Sequence, residues 1–322
     1  MGLRHAYQVT GANDPGKEVS RDRWNADHEL VGELTLPDVA SPATPAPGNI
    51  NLFGTDILGI MRLGFEGPDG KLHLIQNDLG EFSVNHWQPA PGLGSIVGIN
   101  SLNQIAIGTP TSRGIVANNL HWMLPRTEFL VGTASTSAIA GLRGNSSQKI
   151  ARIGRDANSP GGFLLRYVWG PASGAATPTT RAFCGMEATA AAPTNVEPSS
   201  RVNFVGMAWD AADTNIQLMH NDGAGAATKI DLGPGFPVPT TNQDTVYELQ
   251  LYSPDDTTQM VSYRVIRYAT NDKTIAAEAT GTITSNLPAV TTTLAPMCIM
   301  SVGGTSSVIG VAVMGVLVAR EY

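Results

Sequence analysis

The chain has 322 residues, and its 20 basic and 27 acidic side chains give a formal net charge of −7. Charged residues make up 15% of the chain, against roughly 25% in an average soluble protein. An acidic chain with few charges lacks the basic surface that neutralises phosphates, and no apolar run reaches the roughly 18 residues that cross a bilayer. We therefore expect no nucleic-acid partner and no membrane insertion.

The N-terminus and the cysteines indicate where the protein is made. The first residues lack the apolar core of a signal peptide, so we expect synthesis in a cytoplasm. Cys184 and Cys298 are too few and too far apart for a zinc site or a disulfide framework. A single disulfide stays an alternative, but a reducing cytoplasm favours two buried thiols.

Residues 1–48 predict an extended arm. Pro37, Pro42, Pro45 and Pro47 each fix φ and remove a backbone donor, which makes this stretch a semi-rigid connector. Ser20 is a candidate N-cap for one or two helical turns within the arm.

Residues 49–80 predict a small β-hairpin region. Short strands are expected at 50–53, 59–65 and 71–75. The sequence Gly-Pro-Asp-Gly at 67–70 has proline and glycine where a type I turn needs them, so it predicts a hairpin. Residues 81–130 show no clear period and are treated as a connector without an assigned structure.

Residues 131–322 predict a C-terminal β-sandwich of the jelly-roll kind. Phe163, Leu165, Tyr167 and Trp169 fall on one face of an extended segment, and apolar residues alternate with polar ones at 247–251 and 261–265, as in strands with one buried face. Turn residues separate these segments from further strands at 202–209, 216–220, 228–232 and 274–282. The segment 307–319 is apolar on both faces, which predicts a central strand.

The sequence offers no motif for catalysis. The six histidines form no pair at helical metal-binding spacing, no serine lies in a Gly-x-Ser-x-Gly elbow, and Gly92-Leu93-Gly94 precedes a strand-like segment. We therefore expect no catalytic metal, no cofactor and no enzymatic activity. A polysaccharide depolymerase stays an alternative, because glycoside hydrolysis needs only two suitably spaced carboxylates.

Loops between the predicted strands contain the candidate ligand-binding residues. Their side-chain oxygens can bind sugar hydroxyls or calcium, although such residues more often stabilise turns. Six aromatic residues could stack on sugar rings if exposed, but each is more often packed in the core: Trp169, Trp209, Tyr247, Tyr252, Tyr263 and Tyr268. Tyr252, just before the turn at Ser253, is a better surface candidate than Tyr247, Tyr263 or Trp209. The candidates are Tyr252, Asp210, Asp213, Asn221, Asp222, Asp255 and Asp256.

Three parts of the chain resemble virion proteins of tailed bacteriophages. Residues 19–32, with the sequence Trp-Asn-Ala-Asp-His at 24–28, resemble the N-terminal arm of tail and head fibres. The proline-rich segment 42–53, followed by Pro-Asp-Gly at 68–70, resembles a hairpin in the same proteins. Segments 213–222, 227–233 and 247–249 resemble a recurrent C-terminal phage module.

The resemblance implies a homotrimer in the virion, attached to capsid or tail proteins by its arm. Trp24, Asn25, Asp27 and His28 are the implied anchoring residues, although Trp24 could equally pack on residues 49–79 of its own chain. We expect a tail fibre whose distal domain binds a host-surface glycan without cleaving it. A head fibre or capsid decoration protein is the alternative.

Overall fold

A computed structural model describes residues 44–46, 49–57, 60–66, 72–74, 83–87, 98–99, 102–144, 151–157, 159–172, 179–188 and 191–320. The chain forms two compact units, Met1–Gln76 and Asn77–Tyr322. Within these ranges no helix is long and apolar enough to cross a membrane. The elements are β1 (Asn51–Ile57), β2 (Ile60–Glu66), β3 (Leu72–Leu74), β4 (Ser83–Trp87), β5 (Gly98–Ile99), β6 (Leu102–Ile107), β7 (Thr109–Arg113), α1 (Leu120–Met123), β8 (Arg126–Leu130), β9 (Ile139–Gly144), β10 (Phe163–Pro171), β11 (Arg181–Glu187), β12 (Phe204–Trp209), β13 (Gln217–Asn221), β14 (Thr228–Asp231), β15 (Tyr247–Ser253), β16 (Val261–Tyr268), β17 (Ile275–Ile283), β18 (Ala295–Ser301) and β19 (Gly310–Arg320).

The first unit contains a three-stranded antiparallel sheet in the order β1-β2-β3. Phe65 of β2 lies opposite His73 of β3, which confirms the pairing of the predicted hairpin. The turn at 67–70 lies outside the described residues. Thr44, just before the sheet, donates a hydrogen bond of 2.9 Å to the buried carboxylate of Glu66.

The second unit is the predicted β-sandwich. Its first sheet has the order β17-β16-β15-β10-β19-β8-β7, with β4 also paired to β19. Its second sheet has the order β14-β13-β12-β11-β18-β9-β6-β5. All of these pairs are antiparallel.

An aromatic cluster joins the two sheets at one end of the sandwich. The rings of Trp169 in β10 and Trp209 in β12 stack with centroids 6.1 Å apart, and Tyr247 of β15 lies 5.6 Å from Trp169. All three side chains are buried. This confirms their expected place in the core, and the alternation predicted at 163–169 points Phe163, Leu165, Tyr167 and Trp169 inward.

The sandwich begins before the predicted boundary at residue 131. Strands β4 to β8, from the segment treated as a connector, belong to the two sheets. The chain crosses between the sheets at Gly108, where φ is 84° and a Cβ would lie 2.5 Å from the carbonyl oxygen of Leu130. The sequence did not reveal these strands because they are short, at two to six residues each, and several of them contain mostly polar residues.

The final strand confirms the prediction of a central apolar strand. β19 pairs with β10 on one side and with β8 and β4 on the other. Ala312 and Met314 pack outside the sandwich core against Leu120 of α1, so the chain's own helix covers the outer face here. The apolar character of this strand therefore needs no partner subunit to explain it.

A covering segment, residues 191–203, lies over the outer face of the second sheet. Asn195 donates to the Thr136 carbonyl, whereas Asn203 donates its backbone N–H to Asp222, near the opposite end of the sheet. Between these points Arg201 forms a buried ion pair of 2.9 Å with Glu187. The apolar side chains on this outer face are buried: Phe183, Phe204, Ala208, Met219, Met297 and Ile299.

The two cysteines are directly opposite each other. Cys184 of β11 pairs with Cys298 of β18, and both are free, buried thiols, as the sequence analysis favoured. Burial raises the pKa of the Cys184 thiol, and the neighbouring Cys298 adds to the effect. The Cys184 thiol is therefore protonated at neutral pH.

Helix α1 encloses a buried histidine. The Asn119 side chain caps the helix by accepting from Trp122 N–H, and Leu120 N–H donates to Thr270. His121 is buried against Gly170, where an added Cβ would lie 3.1 Å from the imidazole ring. In the described part of the chain neither ring nitrogen makes a hydrogen bond of normal geometry, although the Pro171 carbonyl favours the protonated ring slightly.

The environment of His121 keeps its imidazole neutral. Burial and, after it, the charge of Arg126 lower its pKa from 6.5 to about 4, while the charges of Glu128 and Asp244 act in the opposite direction. Arg126 itself donates to Glu128 at 2.9 Å and lies over the Trp122 ring at 4.4 Å. Protonating His121 would place another positive charge in this enclosed cluster.

We predict that His121 makes the fold sensitive to acid. Because its folded pKa of about 4 lies below 6.5, unfolded chains take up a proton first as the pH falls below 6.5. The free energy of unfolding should therefore fall by about 3 kcal/mol from this group by pH 4. Urea titrations between pH 7 and pH 4 should show a shallower pH dependence for His121→Gln, and equal slopes in both proteins would contradict this assignment.

Candidate functional site

The outward-facing residues of the first sheet form a polar strip. In β15, Glu248 and Gln250 point away from the core, as the alternation at 247–251 predicted. The antiparallel register places Gln250 between Arg166 of β10 and Arg264 of β16. The strip thus crosses adjacent strands whose inner faces build the core.

Glu248 is the centre of this strip. Its carboxylate accepts two parallel hydrogen bonds of 2.7 Å from Nε and Nη2 of Arg166. It also accepts a hydrogen bond of 2.8 Å from the Tyr268 hydroxyl and one of 2.5 Å from the Gln250 amide. A carboxylate has about four acceptor positions, so these four donors use its whole capacity.

The hydrogen bonds to Glu248 determine the protonation states of Glu248, Arg166 and Tyr268. Burial alone would raise the pKa of Glu248, but hydrogen bonds and charge from Arg166, with Gln250 and Tyr268, bring that pKa below its usual value. Burial and the neighbouring carboxylate raise the pKa of Tyr268 to about 12, and the bond to Glu248 raises that of Arg166. At neutral pH the cluster is a charged Arg–Glu pair with a neutral tyrosine.

A shallow groove lies beside this cluster, between α1 and the outer faces of β10, β15 and β19. Its cavity volume is about 120 Å³, below the roughly 300 Å³ of pockets that enclose a small molecule. We call it the outer groove, and a ligand would lie across it. The lining combines polar side chains, Arg166, Glu248, Tyr268 and Lys273, with Leu120, Leu124, Val168, Val246, Met314, Gly315, Val316 and Leu317.

The predicted loop residues do not form one site. Asp210 and Asp213 follow β12 at the end of the sandwich where Trp209 meets Trp169. Asp222 follows β13 and reaches Asn286 at the other end, where Ser253 also lies opposite Phe163. The length of β13, about 13 Å, separates the two groups.

Asp210 and Asp213 bind Lys229. Their carboxylates lie 2.8 and 2.7 Å from its Nζ, and Asp210 also accepts from Ser199 N–H. Burial opposes ionisation of Asp210, but the hydrogen bonds from Lys229 and Ser199 lower its pKa. These aspartates stabilise their own turn and the covering segment.

Asn221 and Asp222 are also used internally. Asn221 is fully buried, and its amide donates to the carbonyls of Arg201 and Gly225. The prediction that Asn221 contacts a ligand is therefore wrong, because the covering segment lies over it. The Asp222 carboxylate accepts a hydrogen bond of 2.9 Å from Ala224 N–H, which is a contact within the local turn.

Asp255 and Asp256 hold two loops together. Asp255 accepts 2.7 Å from Gly161 N–H, and the Asp256 carbonyl accepts 2.7 Å from Arg155 N–H. Gly161 is required here, since a Cβ would lie 1.6 Å from the Gly154 carbonyl oxygen. A shallow cavity of about 430 Å³ beside these loops is lined by Arg155, Asp156, Ala157, Ser159, Pro160 and Thr257.

Tyr252 lies on the outer face of β15 but is only 7% exposed. It is opposite Leu164 and Ser262 in the neighbouring strands. The expectation of a surface ring for stacking is therefore wrong, because strand β15 continues through Ser253 and the side chain is covered on the sheet face. Four residues along β15, about 13 Å, separate it from Glu248.

Two further expectations from the sequence concern the anchoring residues and metal binding. Trp24, Asn25, Asp27 and His28 lie outside the described residues, so their anchoring role stays a prediction. Across the ranges that the structure describes, no group of three or more His, Cys, Asp or Glu side chains is arranged to hold a metal ion.

Sequence reasoning missed most of the outer groove. It placed Glu248 on a polar strand face and grouped Tyr268 with aromatic residues that more often pack in the core, and it gave Arg166 and Lys273 no role. Arg166 and Glu248 are 82 positions apart in the chain, and only the pairing of β10 with β15 brings them together. The alternation at 163–169 was the available signal, because it leaves Arg166 on the outward face.

Comparisons with known proteins find similarity only at the level of solved structures. No protein-family model and no curated protein matches the sequence. Peanut lectin with a nine-residue peptide has a TM-score of 0.45 and 9% identity, covering 74% of this chain and 97% of the lectin. A Bauhinia forficata lectin in complex with GalNAc has a TM-score of 0.40 and 8% identity, covering 74% of this chain and 100% of that chain.

A carbohydrate esterase from the Shiga toxin-encoding bacteriophage phi24B is also similar, with a TM-score of 0.37 and 11% identity, over 67% of this chain and 88% of the esterase. Scores and identities at this level say nothing about a shared ligand. Function has to be inferred from the side chains of the outer groove.

We predict that Glu248→Gln will disorganise the outer groove. The amide keeps the size of the side chain but loses its charge and presents an N–H group to Arg166. Because Arg166 is 43% exposed and can be rehydrated, we expect a loss of only about 1–2 kcal/mol in the free energy of unfolding.

Glu278→Gln is the matched control, since Glu278 pairs with Arg264 on the same face with both side chains over one-third exposed. Urea unfolding of this variant should show a loss of less than about 1 kcal/mol in the free energy of unfolding. Equal losses in the two variants would argue against a special role for Glu248.

Proposed function

We propose that the sandwich is a glycan-binding domain and that the outer groove is its binding site. The observation that carries this proposal is the combination of an apolar lining with Arg166 and Tyr268 held in fixed orientations by Glu248. Sugar rings present apolar C–H faces and many hydroxyl groups, so their sites need both apolar contact and oriented polar groups. The outer groove supplies both on a rigid sheet.

We further propose that the chain is the subunit of a homotrimeric tail fibre of a tailed bacteriophage. The resemblance of residues 19–32 to fibre arms, and of residues 42–53 to a hairpin in the same proteins, supports this, and attachment to the particle would then be through Trp24 and its neighbours. A shallow groove implies weak single contacts. Simultaneous binding by several copies raises avidity by roughly 10²–10⁴ where the geometry allows it.

Binding without cleavage is part of the proposal. A general acid for glycoside hydrolysis needs a carboxyl group with a raised pKa. Glu248, the carboxylate of the outer groove, has a lowered pKa and all its acceptor positions are occupied. Its geometry suits orientation of Arg166 better than proton transfer.

We predict that Arg166→Gln will reduce binding to host cells and to arrayed host polysaccharide by at least about tenfold, because charge-assisted hydrogen bonds are lost. Arg264→Gln is the matched control, since it removes an equal charge from the same face outside the groove lining. Circular dichroism and light scattering should confirm that both variants keep the fold and the trimer. Unchanged binding by Arg166→Gln would remove the outer groove from the proposal.

The place of the protein in the particle can be tested by immunogold labelling of virions with antibody to residues 140–322. We expect gold at the tail tip, whereas gold over the head would favour a head fibre or decoration protein. Incubation of the purified protein with host polysaccharide should release no new reducing ends. A rise in reducing ends would favour a depolymerase.

A further inference from the structure

The outer groove has more hydrogen-bond donors than acceptors available to a ligand. A guanidinium has five N–H groups, and the paired Arg166 uses two of them on Glu248. Its side chain is 43% exposed and also lies beside the Tyr268 hydroxyl, so N–H groups that are not bonded to Glu248 are open to a ligand. Glu248 offers no free acceptor, because its side chain is 4% exposed and its oxygens are already bonded.

Lys273 adds a positive charge to the lining of the outer groove. It belongs to the turn between β16 and β17, lines the outer groove and is exposed. Among the described residues no carboxylate forms an ion pair with it. Its neighbour Asp272 accepts 2.7 Å from Thr274 N–H, which uses that carboxylate within the turn.

The groove therefore differs in charge from the rest of the protein. Arg166 and Glu248 cancel, Tyr268 is neutral, and Lys273 leaves the lining with one net positive charge. The whole chain has a net charge of −7, so this positive groove is not a consequence of a basic protein. An anionic group would find both a charge and oriented donors here.

We propose that the outer groove selects acidic saccharides, with a carboxylate, sulfate or phosphate substituent bound by Lys273 and the free N–H groups of Arg166. This inference rests on the proposed glycan-binding function and adds the class of ligand. The sugar ring would contact the partly exposed apolar lining at Leu124, Val168 and Leu317. Lys273 is then the residue that determines specificity, whereas Arg166 contacts any bound saccharide.

The test compares sugars that differ only in charge. The full-length protein is titrated with 3′-sialyllactose and lactose, and with trigalacturonate and its methyl ester. We expect each acidic sugar to bind at least about tenfold more tightly than its neutral counterpart. Raising the salt concentration from about 0.05 M to about 0.5 M should reduce this ratio, since exposed charges are screened.

Variants of Lys273 assign the effect to this site. Lys273→Gln should abolish the preference, so that each acidic sugar and its neutral counterpart bind this variant equally well, and Lys273→Arg should keep most of the preference. Arg264→Gln, which removes the same charge outside the groove, should retain it. An equal loss with Arg264→Gln would overturn the inference, because the preference would then come from the general field of the surface.

The other outcomes separate this inference from the proposed function. Equal binding of acidic and neutral sugars would overturn acid selectivity and leave glycan binding in place. If the folded protein bound no member of either pair and no host polysaccharide, glycan binding itself would be wrong. The inference would then fall with it.

Discussion

The structure depends on packing two β-sheets through their inner faces, and the stack of Trp169 on Trp209 is the contact that fixes this arrangement at one end. Each indole belongs to a different sheet, and Tyr247 extends the contact along the first sheet. Flat aromatic rings bury a large apolar area at low cost in side-chain entropy. With this contact in place, alternating residues of β10 and β15 point either to the core or to the outer face.

The outer faces of the two sheets are covered to different extents. The covering segment 191–203 closes the outer face of the second sheet, with the buried Arg201–Glu187 pair beneath it. Helix α1 covers part of the first sheet and leaves a strip beside it with exposed polar side chains. Segments of the chain itself therefore bury apolar surface on the outer faces of both sheets. This suits a chain in which only 15% of the residues are charged.

The uncovered strip concentrates polar groups that the fold has organised. Glu248 takes four hydrogen bonds and so orients Arg166 and Tyr268 toward the outer groove without offering an acceptor of its own. Lys273 reaches the same groove from a turn between strands. A weakly acidic chain thus presents one locally positive, partly apolar surface, and this contrast supports both the glycan-binding proposal and the preference for acidic sugars.

The sequence by itself determined the strand pattern: the alternation at 163–169 and 247–251, the apolar segment that became β19 and the hairpin of the first unit were all predictable, because side chains alternate along a strand whatever its partners. It could not show which loops share an end, and Asp210 and Asp222 prove to lie at opposite ends of β13. It also could not show that Asn221 is covered, or that Arg166 meets Glu248 across 82 positions. Those facts depend on strand order and register, which arise from the packing of distant segments and have no local signal in the chain.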